Sequence, residues 1–200
     1  MMYRPASVEV ARAGELSVDP AQHRLRGVRW VPSPHADERP DPTDISLVVV
    51  HAISLPPERF GGPWIDDLFL GRLDCDAHPY FDSLRGVRVS SHLLIRRDGS
   101  ITQYVPFDRR AWHAGRSAFE GRGRCNDFSI GIELEGSDTQ PFEGAQYAAL
   151  ARAANALLDA YPGLAPDRIV GHADIAPGRK TDPGPHFDWL RFAAELEFPR

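Results

Sequence analysis

The chain has 200 residues, 42% of them hydrophobic and 26% charged, with 17 Gly and 18 Pro, which fits one globular domain rich in turns and excludes fibrous and wholly disordered chains. Its formal net charge of -5 argues against nucleic acid or an anionic membrane surface as partner, because both demand a basic face. No segment approaches the ~18 apolar residues of a membrane span, and the first ten residues lack a signal-peptide core, so a soluble cytoplasmic protein is expected.

Residues 1–44 are rich in Pro, Arg and Asp and predict an arm packed on the surface of a domain spanning 45–200. The first core signal is Ile45-Ser-Leu-Val-Val-Val50, a β-branched run that reads as a buried strand and delivers His51 at its end. Cys75 and Cys125 lie outside any Cys-x-x-Cys pattern, so reduced thiols are expected, with a bridge between them as the alternative. Ser90-Ser-His-Leu-Leu-Ile95 and Ser100-Ile-Thr-Gln-Tyr-Val105 flank Asp98-Gly99, a hairpin signal. Along residues 128–135, strict alternation puts Phe128, Ile130, Ile132 and Leu134 on one face and directs Ser129, Gly131, Glu133 and Glu135 to the other.

From 143 to 161, Tyr147, Leu150, Ala151, Ala154, Leu157, Leu158 and Tyr161 follow steps of three and four, an amphipathic helix that Pro162-Gly163 ends. Arg168-Ile-Val-Gly171 predicts a strand that delivers His172. A turn-rich loop follows, and a last helix through Phe187, Leu190 and Ala194. This alternation gives a single α/β or α+β domain with a central mixed sheet and helices packed on it; strand order is not legible.

His51 and His172 each follow a predicted buried strand, and strand ends are where open α/β sheets hold their sites. A lone histidine there is more often a hydrogen-bonded structural residue. The loop after His172 adds Asp174, Lys180 and Asp182, so a His, His, Asp set is available, which matches a catalytic zinc site with a fourth position open to water.

Longer motifs narrow the reading. Val50-His-Ala-Ile-Ser-Leu-Pro-Pro57, Arg88-Val-Ser-Ser-His-Leu-Leu-Ile-Arg-Arg-Asp-Gly99, Ala111-Trp-His-Ala-Gly115, Cys125-Asn-Asp-Phe-Ser-Ile-Gly-Ile-Glu-Leu-Glu-Gly136 and Gly171-His-Ala-Asp-Ile-Ala-Pro-Gly-Arg-Lys-Thr-Asp-Pro-Gly-Pro185 resemble, in chain order, the AmpD-type 1,6-anhydro-N-acetylmuramyl-L-alanine amidases. These are zinc amidases related to peptidoglycan recognition proteins.

The resemblance implies His51, His172 and Asp182 as ligands of one zinc ion per chain, Glu133 as acid and base, and Lys180 as a stabiliser of transition-state charge. It also implies substrate contacts from Arg88, Arg124, Trp112 and His113. As alternatives, Trp112 reads as core, His113 as its hydrogen-bonded neighbour and Arg124 as a solvated charge, while His92 reads as a buried or supporting histidine. The substrate implied is a small muropeptide cut during cytoplasmic cell-wall recycling by a monomer. A lytic amidase of intact wall and a non-catalytic peptidoglycan-binding module remain alternatives. Ala52 departs from the pattern, where Asn is usual after the first ligand.

Overall fold

Apolar runs with strand periodicity meet at the middle of one sheet in the computed structural model, which describes residues 15–196. Four short strands come first: β1 (Val18–Asp19), β2 (Arg24–Leu25), β3 (Arg29–Trp30) and β4 (Ala36–Glu38). Next are β5 (Leu47–Ile53), α1 (Trp64–Phe69), a 3-10 turn at Pro79–Leu84, β6 (Leu93–Ile95), β7 (Ile101–Gln103) and β8 (Arg109–Ala111). A ribbon of β9 (Ala118–Phe119) and β10 (Arg122–Gly123) precedes β11 (Ser129–Glu135), α2 (Gly144–Ala160), β12 (Ile169–Gly171), α3 (His172–Ile175) and α4 (Trp189–Glu195). No described helix is long and apolar enough to cross a membrane.

The main sheet has six strands in the order β12-β5-β11-β6-β7-β3. β12, β5, β11 and β6 run parallel, β7 returns antiparallel to β6, and β3 lies parallel to β7 at the edge. The domain is therefore a mixed sheet with helices packed on it, as the alternation of elements implies. Residues 29–30, from the segment expected to wrap the surface, extend the sheet itself. The first 14 residues of that expected arm lie outside the described residues.

Register divides the central strands into two faces, because residues directly opposite in a parallel pair point the same way. Val48 and Val50 of β5 lie beside Ile130 and Ile132 of β11, and with Leu134, Leu93 and Ile95 they form the larger core. Onto this face α2 packs Ala149, Leu150, Ala153, Ala156 and Leu157. The alanines bring the helix axis close to the sheet. Glu143 N–H donates to Gln146 Oε1 at 3.1 Å at the start of the helix, and Gln146 Nε2 donates to the Glu135 carbonyl at 3.0 Å, tying that start to the end of β11. Gly99 closes the β6–β7 hairpin at φ +81°, and a Cβ there would come within 2.7 Å of the Ala145 carbonyl oxygen.

One expected position is corrected. Phe128 does not share a face with Ile130, Ile132 and Leu134. The strand begins at Ser129, and Phe128 ends a 3-10 turn with φ -133° and ψ 6°, outside the extended region. That break in alternation sends its ring to a separate cluster with Leu47, Val49, Cys125 and Ile175. Cys75 and Cys125 are both free thiols.

Leu157 is fully buried in the α2–sheet core. Its truncation to alanine should cost about 2–5 kcal/mol, read as a lower urea midpoint with unchanged m-value. A midpoint equal to that of wild type would mean that α2 does not pack there.

Candidate active site

The face of the sheet opposite α2 carries Leu47, Val49 and His51 on β5 and Ser129, Gly131 and Glu133 on β11, with Glu133 directly beside His51. β12 pairs with the other side of β5, and the chain turns from Gly171 into α3, so His172 arrives next to His51. The loop after α3 folds back: Ala173 N–H donates to the Asp182 carbonyl at 2.9 Å, and Arg179 Nη2 donates to the carbonyls of Ala114 and Arg116 at 2.7 and 2.8 Å. Asp182 is thereby held over the two histidines. Asp174 accepts the Gly171 N–H at 2.7 Å, so its carboxylate caps α3 and does not join them.

His51 Nδ1 lies 3.0 Å from His172 Nδ1, and Asp182 Oδ2 lies 3.2 and 3.1 Å from these two atoms. Their outer nitrogens decide what the three atoms can hold. His172 Nε2 sits 3.1 Å from the Ala114 carbonyl, which can only accept, so a neutral His172 has its proton on Nε2 and a bare Nδ1. His51 Nε2 sits 2.9 Å from His113 Nδ1, and when it donates there its own Nδ1 is bare as well. Burial pushes the His51 pKa down to about 4, so a second proton is absent at neutral pH. In that tautomer the three atoms face one point as acceptors, a donor set that a divalent cation fits; with its proton on Nδ1 instead, either imidazole donates to Asp182.

Glu133 is buried. Its Oε1 is 4.0 Å from His51 Nδ1, and its Oε2 has no hydrogen-bond partner among the described residues. Burial, helped by the charge of Asp182 and opposed by Lys180, raises its carboxyl well above the usual range. Burial acts the same way on Asp182, but hydrogen bonding with His172 and His51 outweighs it and holds that carboxyl well below the usual range. Two neighbouring carboxyls are thus driven apart in acidity.

These groups open on a cavity of about 500 Å³ whose lining includes His51, Glu133, His172, Lys180 and Asp182. Trp112, His113 and Ala52 line it too, with Tyr80, Leu84 and Val89 as an apolar wall. Trp112 is half-buried, donates from Nε1 to Asp37 at 3.0 Å and stacks on His35 at 5.9 Å. The two arginines are not brought into this cavity. Arg88 lines an adjoining depression that shares Leu68 and Leu84 with it. Arg124 is exposed and pairs with Asp127 at 3.0 Å, its neighbour in the local turn.

His92 is fully buried, with Nδ1 accepting the Gly131 N–H at 3.0 Å and Nε2 3.0 Å from the Arg109 carbonyl. Sequence reasoning missed the wall of Tyr80, Leu84 and Val89, which lies on a 3-10 turn and an irregular connection without periodicity. It also missed Arg39, which is 4% exposed.

Residues 41–185 match the sequence profile of the N-acetylmuramoyl-L-alanine amidases. The chain belongs to the N-acetylmuramoyl-L-alanine amidase family. Within that family it is 63% identical over 170 residues to the 1,6-anhydro-N-acetylmuramyl-L-alanine amidase AmpD of Citrobacter freundii, covering 85% of this chain and 90% of that protein. The crystal structure of a selenomethionine derivative of AmpD superposes with a TM-score of 0.87 at 60% identity, covering 90% of this chain and 99% of that one. The Escherichia coli amidase AmiD, in complex with the substrate anhydro-N-acetylmuramic acid-L-Ala-D-gamma-Glu-L-Lys, superposes with a TM-score of 0.57 at 35% identity, covering 78% of this chain and 60% of that one.

The folded-state pKa of Glu133 lies above its unfolded value, so its contribution is fully present at low pH and is lost as pH rises through the folded pKa. In chelator-stripped protein, Glu133→Gln should therefore gain Tm relative to wild type over the interval that opens at about pH 4.5, where the unfolded carboxyl ionises. A Tm difference that stays flat over that interval would show that this carboxyl titrates normally.

Proposed function

We propose that this amidase hydrolyses the amide bond between 1,6-anhydro-N-acetylmuramic acid and L-alanine of peptidoglycan fragments. In this reading it acts as a monomer in cytoplasmic cell-wall recycling, through a catalytic domain at 45–200, with the described part of the preceding segment, residues 15–44, packed against it. The observation that carries the chemistry is the convergence of His51 Nδ1, His172 Nδ1 and Asp182 Oδ2 within 4.8 Å of one another, beside a buried Glu133 oxygen that has no hydrogen-bond partner among the described residues. The similarity to AmpD and to the muropeptide-bound AmiD supports the substrate.

One zinc ion per chain would be held by His51, His172 and Asp182, where it would supply a Lewis acid that brings the pKa of water from 15.7 towards ~7 and polarises the amide carbonyl. Glu133 takes the proton of the attacking water. Burial raises this carboxyl well above the usual range, which favours its holding the proton and returning it to the leaving L-alanine amine. Lys180, on the cavity lining, offsets the negative charge that develops on the carbonyl oxygen. Trp112 and His113 border the space for the sugar and peptide. Arg88, on the adjoining depression, would hold a carboxylate of the stem peptide, a group suited to the guanidinium fork. Arg124 is proposed for the same task only at longer reach, since it stands outside the lining.

Glu133→Gln should retain zinc and muropeptide affinity while kcat falls about 10²- to 10⁴-fold. Lys180→Met should follow the same pattern, whereas Asp182→Ala should lose the metal. Elemental analysis, ligand titration and single-turnover rates on the three variants separate these roles. Mass spectrometry of products from anhydro and ordinary muropeptides tests the sugar. Wild-type turnover by protein free of metal, or by Glu133→Gln, would reject the mechanism.

A further inference from the structure

The ring of His113 lies between His51 and the backbone of β11, in a seat that the sequence leaves open. Gly131 is directly beneath it, and a Cβ there would come within 2.5 Å of His113 Cγ and 2.7 Å of its Nδ1. Any side chain at 131 would displace the imidazole. The backbone is fixed from the other side, where Asn126 Oδ1 accepts the N–H groups of His113 and Ala114 at 3.2 and 2.8 Å. Held this way, His113 offers Nδ1 at 2.9 Å to His51 Nε2 and Nε2 at 3.2 Å to Ser129 Oγ.

This chain of contacts can carry its protons in two directions. If Ser129 donates to His113 Nε2 and His113 Nδ1–H donates to His51 Nε2, the proton of a neutral His51 sits on Nδ1, inside the cluster with His172 and Asp182. If His113 Nε2–H donates to Ser129 Oγ, its bare Nδ1 accepts His51 Nε2–H, and His51 Nδ1 faces His172 and Asp182 as a lone pair. Only the second direction leaves three acceptors to meet a cation.

We infer that His113 is a positioning residue that selects the metal-competent tautomer of His51: a hydrogen-bond acceptor behind the ligand, seated over Gly131. The inference rests on the metal site proposed above. Acceptors behind ligating histidines orient the ring and raise its basicity, and their removal lowers metal affinity by about 10- to 100-fold.

The test uses the full chain loaded with zinc, and compares wild type, His113→Phe and His113→Asn in competition with a chromophoric chelator. Phenylalanine fills the seat over Gly131 without an acceptor, so zinc affinity should fall about 10- to 100-fold. Asparagine places an amide oxygen near the lost Nδ1 and should recover most of that loss. In wild type with ¹⁵N-labelled histidine, NMR should find His51 protonated at Nε2 and His113 unprotonated at Nδ1, a readout that does not depend on how well either variant folds. Zinc bound by the His113→Phe variant as tightly as by wild type, equal losses in both variants, or a proton on His113 Nδ1 would overturn the assignment. Wild type that took up no zinc would instead remove the metal site on which it rests.

Discussion

The parallel pairing of β5 with β11 sets the position of everything else in the site. In that register His51 stands opposite Glu133, Val49 opposite Gly131 and Leu47 opposite Ser129, while the intervening residues Val48, Val50, Ile130 and Ile132 fill the core under α2. A slip of one residue would exchange the two sets, burying charge under the helix and turning the apolar residues into the cleft. The hydrophobic effect acting on one face therefore fixes the catalytic geometry on the other.

That second face is polar and still buried, and its groups are satisfied mostly by backbone. Among the described residues, Arg39 has no carboxylate as a hydrogen-bond partner. It donates instead to the carbonyls of Phe107, Asn126 and Ser129 at 3.0, 3.0 and 2.7 Å, while burial pulls its pKa down to about 10. His92 likewise spends its two nitrogens on the Gly131 N–H and the Arg109 carbonyl. Such a layer is rigid because each member has a partner that cannot move without breaking a strand or a turn. Glu133 Oε2 is an exception, a buried oxygen with no partner among the described residues, on a side chain that lines the cavity.

The electrostatics of the cavity follow from this asymmetry. Burial acts on both Glu133 and Asp182 in the direction of the neutral acid, yet only Asp182 has two imidazoles against it. One carboxyl is held ionised and the other is pushed towards the neutral acid, the separation of roles that the proposed hydrolysis requires. Lys180 stands at the exposed side of the same cavity, where its charge reaches Glu133 without being buried with it.

Much of this was legible in the chain itself, because the signals involved are local. Alternation on β11 directed Glu133 off the apolar layer, the β-branched run before His51 and the short one before His172 marked strand ends, and Asp98-Gly99 marked the hairpin. Each depends on residues a few positions apart, where backbone geometry and side-chain period suffice. The sequence also named His51, His172 and Asp182 as a set, through motifs that resemble a family. Other features needed contacts between distant segments. Apart from that resemblance, residue type and spacing do not distinguish Asp182 from Asp174; the fold-back of the loop leaves one over the histidines and the other capping α3. Phe128 broke the alternation because a 3-10 turn displaced the start of the strand by one residue. Arg39, Asn126, Ser129 and Gly131 acquire meaning only where four separate stretches of chain meet around His92 and His113. Strand order, the seat of His113 over Gly131 and the exclusion of Arg124 from the cavity were decided by tertiary packing, since nothing in a residue's neighbours along the chain specifies which distant backbone it will lie against.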